Sequence, residues 1–314
     1  MHEPVLVNEV VDLLGVRAGG VYVDGTVGSG GHAAAILEKA GATGFLLGMD
    51  RDGEALARAR SRLTGHEGSY ALVQGDYADM AGAAAQRGLG EVNGIVLDLG
   101  VSAEQLESAE RGFSFVREGP LDMRMDASRG ESAADLLQRV TETDLAALIR
   151  RYGEEPNARR IARRIVRERE KDPIRTTGRL ARVVERALGG RRGKRHPATR
   201  TFQALRIAVN GELASLEKGL PAALGLLQAG GRMAVISFHS LEDRMVKRFF
   251  VRHEGRWESL QEGGRAWRGE EPAVARVTRR AVRPSAVQTE TNPRARSARL
   301  RVAERLTAGA HPSA

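Results

Sequence analysis

Two acidic residues end short apolar runs in the first fifty residues of the chain. Val21–Asp24 ends in Asp24 and leads into T-V-G-S-G-G-H, and Phe45–Asp50 ends in Asp50. In an open α/β sheet, a glycine-rich turn after the first strand lets a ligand approach the backbone. An acid after the next strand can bind two ribose hydroxyls. The pairing predicts a site for a ligand that contains adenosine.

Two kinds of adenosine-containing cofactor fit this pattern. Gly28, Gly30 and Ala33 satisfy the dinucleotide fingerprint G-x-G-x-x-A, and Asp50 follows about 20 residues later. Asp24 argues against a dinucleotide, because a pyrophosphate favours free N–H groups and a helix N-terminus without a carboxylate. S-adenosylmethionine carries an ammonium and a sulfonium, which an acid at this position would stabilise. The residues favour the methyl donor, with NAD as the alternative; a glycine turn that serves chain geometry alone is the third reading.

The elements that would position these residues alternate between strand and helix. Strands are predicted at Val21–Asp24, Phe45–Asp50, Ala71–Val73 and Ile95–Asp98, with amphipathic helices between them. Such alternation predicts a mostly parallel, doubly wound sheet with helices on both faces. Ligands bind such sheets at the carboxyl ends of the strands. Asp24, Asp50, Tyr77 and Asp98 are therefore expected around one crevice.

The alternation stops near Glu104, and no strand-like run follows until Met233–Ser237. The intervening residues have the apolar spacing of helices, one of them predicted at Phe202–Leu213. A late strand is predicted at Ala298–Ala303, and Gly255–Pro272 is predicted to be a mobile loop. The expected organisation is a sheet domain formed by residues 1–103 and 213–305, a helical insert over 104–212, and a flexible tail over 306–314.

Charge is distributed unevenly along the 314 residues. Arg150–Arg206 contains 19 Lys and Arg against 6 Asp and Glu, and Arg276–Arg305 contains 9 Arg against 2 Glu, while the whole chain carries +9. Concentrated arginine on an otherwise acidic chain is typical of a polyanion-binding protein, although solvated helix faces would give the same composition.

Composition also limits where the protein works. The chain has no cysteine, which excludes disulfides and thiolate metal sites and favours the cytoplasm. Its seven histidines do not cluster at ligand spacing, so no metal site is predicted. No apolar run is long enough to span a membrane. The oligomeric state is left open, a homodimer included.

Several long motifs occur together in this chain. They are D-G-T-V-G-S-G-G-H (Asp24–His32), L-D-L-G-V-S (Leu97–Ser102), R-G-F-S-F (Arg111–Phe115), G-P-L-D-M-R-M-D (Gly119–Asp126), H-P-A-T-R-T-F-Q-A-L-R-I-A-V-N (His196–Asn210), I-S-F-H-S-L-E-D-R (Ile236–Arg244) and N-P-R-A-R-S (Asn292–Ser297). From His2 to about Arg305 the sequence closely resembles the bacterial 16S rRNA cytosine-N4 methyltransferase family.

The resemblance implies a class I S-adenosylmethionine-dependent methyltransferase fold with a helical insert. The implied reaction is methylation of the exocyclic amine of a cytosine in the decoding region of 16S rRNA, with the rRNA or the small ribosomal subunit as partner. The residues implied to bind the cofactor are Asp24, Gly28, Gly30, Gly31, His32, Asp50, Tyr77, Asp98 and Gln105. The chain departs from the family where Ala103-Glu104 replaces the usual Ser-Pro beside Gln105, and where Tyr77 replaces a common phenylalanine.

The chemistry of a cytosine amine suggests a role for Asp98. The amine is a poor nucleophile because its lone pair is delocalised into the ring, so an acceptor for an N–H would help to localise it. Asp98 ends the fourth strand and is the natural acceptor, with binding of the cofactor ammonium as its alternative role. Other amino-methyltransferases carry Asp/Asn-Pro-Pro-aromatic at this point, whereas this chain has D-L-G-V. Their mechanism therefore does not transfer directly.

RNA contacts are predicted at aromatic and basic residues near the strand ends and in two loops. Enzymes that modify a base hold it unstacked, often against aromatic rings. The candidates are Phe113, Phe115 and Phe238 around the base, and Arg195, His196, Arg200, Arg294 and Arg296 along the backbone. His239, at the carboxyl end of the fifth strand, is a candidate catalytic residue that would hydrogen-bond the base or shuttle a proton. Each has a structural alternative, as a core residue or as a member of an ion pair. An RNA-binding assembly factor without turnover is the alternative from another class of protein.

Overall fold

The computed structural model describes residues 4–190, 196–259, 265–268 and 271–308. The chain divides into two compact units, one formed by Met1–Gly100 with Leu213–Ala314 and the other by Val101–Glu212. The first boundary falls at Gly100, whose φ of +95° is a backbone conformation that glycine adopts without strain. It lies three residues before the predicted one, and the second boundary falls at the predicted position.

The first unit contains the strands. In chain order its elements are α1 (Val7–Leu14), β1 (Val21–Asp24), α2 (Gly31–Ala40), β2 (Phe45–Asp50), α3 (Gly53–Arg62), β3 (Tyr70–Gln74), α4 (Met80–Ala85) and β4 (Val92–Asp98), then α11 (Glu212–Leu226), β5 (Leu227–Ser237), α12 (Ser240–Glu254), β6 (Arg256–Ser259), β7 (Arg265–Arg268), β8 (Val274–Arg276), α13 (Ala286–Thr291) and β9 (Arg299–Arg305).

Seven strands form one sheet in the order β3-β2-β1-β4-β5-β9-β8. β3, β2, β1, β4 and β5 are parallel, and β9 and β8 are antiparallel to their neighbours. The predicted mixed α/β class with a mostly parallel sheet is confirmed. β1 pairs with both β2 and β4, so Asp24 lies between the ends of the two strands that carry Asp50 and Asp98.

Side chains alternate between the two faces of the sheet, and each face has its own core. Tyr22, Leu46 and Val96 belong to the core that includes α1, α2 and α3. Val23, Leu47 and Leu97 belong to the core that includes residues of α4, α11 and α12. Helices therefore cover both faces and leave the carboxyl ends of the parallel strands available to a ligand.

One predicted loop contains a hairpin. β6 and β7 pair antiparallel, with Trp257 opposite Trp267 in the register. The prediction of a loop throughout Gly255–Pro272 is wrong for these described residues, which pair as two short strands. The predicted tail begins with Leu306, whose N–H donates to the Ala273 carbonyl at 2.9 Å; residues 309–314 lie outside the described range.

The second unit is helical. Its elements are α5 (Ala103–Glu107), α6 (Ala133–Arg139), α7 (Glu142–Gly153), α8 (Ala158–Lys171), α9 (Thr177–Leu188) and α10 (Thr199–Asn210). α10 begins and ends three residues before the predicted Phe202–Leu213, so that prediction is wrong in its bounds. Gly211 stops the helix at a φ of +62°.

Membrane-spanning helices were sought across the same described ranges. None of the helices found there combines the length and the apolar character that crossing a bilayer requires.

Candidate functional site

At the ends of β1 and β4, Thr26 contacts the carboxylate of Asp24 and the backbone N–H of Asp98. The Thr26 N–H donates to Asp24 Oδ1 at 3.0 Å, and Thr26 Oγ accepts the Asp98 N–H at 2.6 Å. Asp24 Oδ2 and Asp98 Oδ1 are buried without a hydrogen-bond partner in the described structure. Buried polar atoms of native proteins are almost always satisfied, so these two oxygens indicate a ligand that donates to them or carries positive charge.

The electrostatics of this pair point to a cation. Burial raises the pKa of the Asp24 carboxyl to about 7. Burial also raises the pKa of Asp98 well above its usual value, and the nearby carboxylates of Asp24 and Glu242 raise it further. Carboxyls crowded in this way are stabilised in their charged form by an adjacent cation. An ammonium or sulfonium group fits this requirement.

The glycine turn lies next to these acids along the chain. Gly28 has a φ of +52°, and its N–H donates to Asp50 Oδ2 at 2.9 Å. A Cβ at Gly28 would meet no other atom closer than the Thr26 carbonyl at 3.8 Å, so the space beside it is open. Gly30 has a φ of +82° and precedes α2. The turn thus exposes backbone to a ligand, as the sequence predicts.

Gly31 has a different structural reason to lack a side chain. A Cβ there would lie 2.3 Å from Pro4 Cγ, so the close approach is to the N-terminal segment.

Asp50 accepts a second backbone N–H, from Asp52 at 2.9 Å, through Oδ1. Burial raises the pKa of Asp50 above its usual value despite these hydrogen bonds. Ribose hydroxyls would give this carboxylate further donors.

His32 is buried on α2 and belongs to the same cluster. Its Nε2 lies 3.0 Å from the Val5 carbonyl, and its Nδ1 lies 3.8 Å from Asp98 Oδ2. Burial lowers the pKa of His32 to about 4, so the ring is neutral near pH 7. His32 therefore supplies Asp98 with no compensating positive charge.

Tyr77 forms a wall next to the strand ends. A Cβ at Gly25 would lie 2.8 Å from Tyr77 Cβ, and a Cβ at Gly219 of α11 would lie 2.6 Å from the Tyr77 ring. Two glycines thus allow the tyrosine to pack between the loop after β1 and α11. This close packing fixes the position of the ring.

A polar cluster beside Tyr77 ties three elements of the first unit together. Arg51 donates to Asp76, and its Nη2 donates to Ser215 Oγ at 2.6 Å. The Ser215 hydroxyl in turn donates to Asp76 Oδ2 at 2.6 Å. Burial opposes ionisation of Asp76, but hydrogen bonds from Ser215, Ala78 and Arg51 lower its pKa below the usual value.

Phe238 and His239, which the sequence predicts to lie near the target base, follow the end of β5. Phe238 is half-buried against the core that includes α1, α2 and α3. Glu242 Oε2 accepts the N–H groups of Phe238 at 2.8 Å and His239 at 3.2 Å, and His239 Nδ1 accepts the Glu242 N–H at 3.4 Å. These bonds form a capping box at the start of α12. His239 Nε2 lies 3.0 Å from Glu242 Oε1 but lacks hydrogen-bond geometry.

In the second unit, the structure gives the predicted residues structural partners. Gln105 is buried, and its Oε1 accepts the Ser102 N–H at 3.0 Å in the capping box of α5. Phe113 is buried in the helical core, which fits its alternative role as a core residue. Phe115 is half-buried, and its ring lies 4.4 Å from His196 and 4.8 Å from Phe202.

The basic residues predicted to contact the RNA backbone have different surroundings in the structure. Arg200 Nη1 lies 3.4 Å from Glu155 Oε2, and His196 Nδ1 accepts the Ala198 N–H at 3.2 Å at the start of α10. Arg296 is exposed. Arg195 and the side chain of Arg294 lie outside the described residues.

Sequence reasoning missed several contributors to the site. Thr26 lies within the D-G-T-V-G-S-G-G-H motif, where a hydroxyl beside a glycine turn could have indicated its role. Glu242 lies within the I-S-F-H-S-L-E-D-R motif, where a carboxylate at the start of a helix could have done the same. The cluster of Arg51, Asp76 and Ser215 joins residues up to 164 positions apart. No local pattern could have revealed that contact.

The fold and the site define a methyltransferase that uses S-adenosylmethionine. Open backbone at Gly28, a carboxylate at Asp50 for ribose, and unpartnered buried oxygens at Asp24 and Asp98 fit that cofactor. A model of the MraW methylase family matches residues 1–306, and the chain belongs to this family. The expectation of a methyltransferase is confirmed, and the dinucleotide alternative is wrong.

Bacterial relatives resemble this chain over nearly its whole length. The chain is 49% identical over 307 residues to "Ribosomal RNA small subunit methyltransferase H" of Syntrophus aciditrophicus, covering 97% of this chain and 98% of that protein. It is 46% identical over 310 residues to the protein of the same name from Symbiobacterium thermophilum, covering 98% of each. A solved rRNA methylase from Streptococcus thermophilus is 10% identical, with a TM-score of 0.43 over 98% of this chain and 99% of that one, a likeness too distant to bear on function.

Proposed function

We propose that this protein transfers the methyl group of S-adenosylmethionine to the exocyclic N4 amine of a cytosine in 16S rRNA. The observation that carries the proposal is the pair of buried carboxylate oxygens without a hydrogen-bond partner, Asp24 Oδ2 and Asp98 Oδ1, at adjacent strand ends. The names of the relatives support small-subunit rRNA as the substrate. The same names and the cysteine-free composition support the cytoplasm as its location.

The cofactor is held by residues of the first unit. Asp24 binds the positively charged methionine end, and the open backbone of the glycine turn lines its path. Asp50 accepts hydrogen bonds from the ribose hydroxyls, and the Tyr77 ring packs against the adenine. When bound, S-adenosylmethionine supplies an electrophilic methyl group on a sulfonium.

Asp98 is in one protonation state in the free protein and in another when the cofactor is bound. In the free protein, burial and the nearby carboxylates of Asp24 and Glu242 raise the pKa of Asp98 well above its usual value, which favours the protonated form. A neighbouring cation favours the ionised form, which then accepts an N–H of the target amine and localises the nitrogen lone pair. His32 stays neutral beside it and so supplies no positive charge that would favour the ionised form.

The helical insert supplies a basic surface for the RNA backbone. On α8, Ile161 and Ile165 are buried, and the opposite face exposes Arg159, Arg160, Arg163, Arg164 and Arg167. Arg163 and Arg164 lie 3.4 Å and 3.0 Å from Glu142 and Glu168. An exposed arginine face suits phosphate contacts, which fix position without reading sequence.

The test is methyl transfer from labelled S-adenosylmethionine to small ribosomal subunits from cells that lack this gene, followed by nucleoside analysis by mass spectrometry. We expect N4-methylcytidine with the wild-type protein and a loss of at least about 100-fold with Asp98→Asn. Asp12→Asn, at an exposed acid of α1, is the matched control. Tight cofactor binding without any label in subunits or naked rRNA would overturn the substrate and favour a non-catalytic assembly factor.

A further inference from the structure

A groove with a volume of about 450 Å³ lies between α11 and α12 in the first unit. Leu220 and Pro221 line it from α11, and Met245 and Phe249 line it from α12. Met245 and Phe249 are half-buried and Pro221 is exposed. The groove therefore presents an apolar surface that solvent can reach.

An aromatic pair forms one wall of this groove. The rings of Phe249 and His253 have centroids 4.1 Å apart at an interplanar angle of 39°. His253 Nδ1 lies 2.9 Å from the Phe249 carbonyl oxygen, which anchors the imidazole. A ring held in place by such contacts loses little conformational entropy when another ring packs on it.

Positive charge surrounds the apolar surface. Arg248 and Arg252 line the groove and are exposed, and Arg244 and Lys247 extend the basic face of α12. One acid, Glu217 of α11, also lines it. Fixed aromatic and apolar surface next to exposed arginines is the combination that binds single-stranded nucleic acid, through base stacking and phosphate contacts.

The groove is separate from the strand-end site along α12. Phe249 follows Ser240 by nine residues, which is about 14 Å along an α-helix that rises 1.5 Å per residue. A nucleotide in the groove is therefore not the one that meets Asp98. It belongs to RNA that flanks the target.

We propose that the groove between α11 and α12 binds an unpaired flanking nucleotide of the RNA substrate. The base packs on Phe249 and the apolar surface, and Arg248 and Arg252 contact its phosphates. Glu217 accepts a hydrogen bond from an exocyclic amine, which favours adenine, guanine or cytosine over uracil. The inference rests on the proposed RNA-directed function and adds a second RNA site to it.

The experiment measures binding of a fluorescein-labelled 12-nucleotide single-stranded RNA to the full chain at several salt concentrations. Removing a phosphate contact flattens the dependence of log K on log salt, by about 0.7 for single strands. Removing a stacking contact weakens binding equally at every salt concentration. The two kinds of contact can therefore be told apart.

We expect Phe249→Leu to weaken binding about fivefold with an unchanged salt slope. We expect Arg248→Gln to lower the slope by about 0.7, and Lys247→Gln, which does not line the groove, to weaken binding less than about twofold. Thermal melting and S-adenosylmethionine affinity check that each variant folds. If Arg248→Gln and Lys247→Gln change RNA binding equally and Phe249→Leu does not change it, the proposal that the groove binds RNA is overturned.

A second measurement does not depend on variants. Photo-crosslinking of the same RNA carrying 6-thioguanosine, which keeps an exocyclic amine, should label the peptide that contains Phe249 in the wild-type chain, and crosslinks that avoid α11 and α12 would contradict the proposal. Methylation of small subunits is measured separately, so failure of the groove and failure of the proposed activity are distinguishable. An acidic peptide that binds in place of RNA would assign the groove to a protein partner instead.

Discussion

The Nδ1 atom of His32 lies 3.8 Å from Asp98 Oδ2, while its Nε2 atom lies 3.0 Å from the Val5 carbonyl oxygen. A carbonyl can only accept, so Nε2 carries the proton and Nδ1 faces Asp98 without one. Because the pKa of His32 is lowered to about 4 by burial, the ring stays neutral at working pH. Positive charge for the two strand-end carboxylates must therefore come from the cofactor.

The affinity for S-adenosylmethionine should consequently rise with pH. The pKa of Asp24 is raised to about 7, mainly by burial, so below pH 7 its carboxyl is protonated and offers no negative charge to the ligand. We expect the dissociation constant to fall as pH rises from 6 to 8, by up to about tenfold per unit from this group. Titration calorimetry at three pH values measures the dissociation constant. Release of a proton on binding would independently indicate that Asp24 ionises when the cofactor binds.

The matched variants for this prediction are Asp24→Asn and Asp12→Asn. The first should bind more weakly and lose the pH dependence that Asp24 contributes. The second, at an exposed acid, should behave as wild type. If Asp24→Asn keeps the full dependence, the titrating group lies elsewhere.

Gly219 of α11 should matter for cofactor affinity although it carries no chemical group. An added Cβ would lie 2.6 Å from Cδ2 and Cε2 of Tyr77 and would displace the ring. We expect Gly219→Ala to weaken S-adenosylmethionine binding about tenfold, since overpacking of this kind costs about 1–3 kcal/mol. Gly225→Ala in the same helix, with no atom within 4 Å of its Cβ, is the control and should leave affinity unchanged. Equal affinities of the two variants would show that the Tyr77 ring does not contact the cofactor.

The sheet was predictable because its signals are local. Short continuous apolar runs ending in Asp24, Asp50 and Asp98 indicate both the strands and the edge of the sheet at which they end. The start of α12 shows where this reasoning stops. The sequence offered His239 as a base or proton contact, whereas its Nδ1 caps the helix, because capping depends on backbone angles that residue types do not determine. Gly31 likewise faces Pro4, a packing contact that the glycine motif does not encode.

His239 is expected to act through the start of α12. His239→Ala removes the acceptor of the Glu242 N–H and should cost about 1 kcal/mol of stability, as loss of an N-cap does. His239→Asn keeps an acceptor at the cap and should restore both stability and most methyl transfer. Denaturant unfolding and single-turnover assays on the same preparations measure the two. A stable but inactive His239→Asn would instead assign the imidazole a contact with the base or a proton.

Asp243 should stabilise the junction between α12 and β9. Arg301 Nε and Arg299 Nη1 donate to its two oxygens at 2.8 Å and 2.7 Å. We expect Asp243→Asn to lower the free energy of unfolding by about 2 kcal/mol, less than for a fully buried pair because Arg299 is 38% exposed. Asp12→Asn, which breaks the exposed pair with Lys39, should cost less than about 0.5 kcal/mol.

The ion pairs of Asp243 with Arg301 and Arg299 also make the free energy of unfolding depend on pH. Burial opposes ionisation of Asp243, yet hydrogen bonds from Arg301 and Arg299 lower its pKa below the usual value. A native pKa below the unfolded one contributes stability that is present above the unfolded pKa and is lost as pH falls through the native one. The difference between wild type and Asp243→Asn should therefore shrink below about pH 4. A difference that stays constant down to pH 2 would contradict this assignment.

The arginine face of α8 should carry part of the salt dependence of RNA binding. Arg159, Arg160 and Arg167 are exposed, and neutralising all three should flatten the slope of log K against log salt by about 2 to 3 if each meets a phosphate. Cofactor affinity should not change, since α8 belongs to the other compact unit. Arg60→Gln, at an exposed arginine of α3, is the control for general loss of charge. A triple variant that keeps the wild-type slope would place the phosphate contacts on another surface.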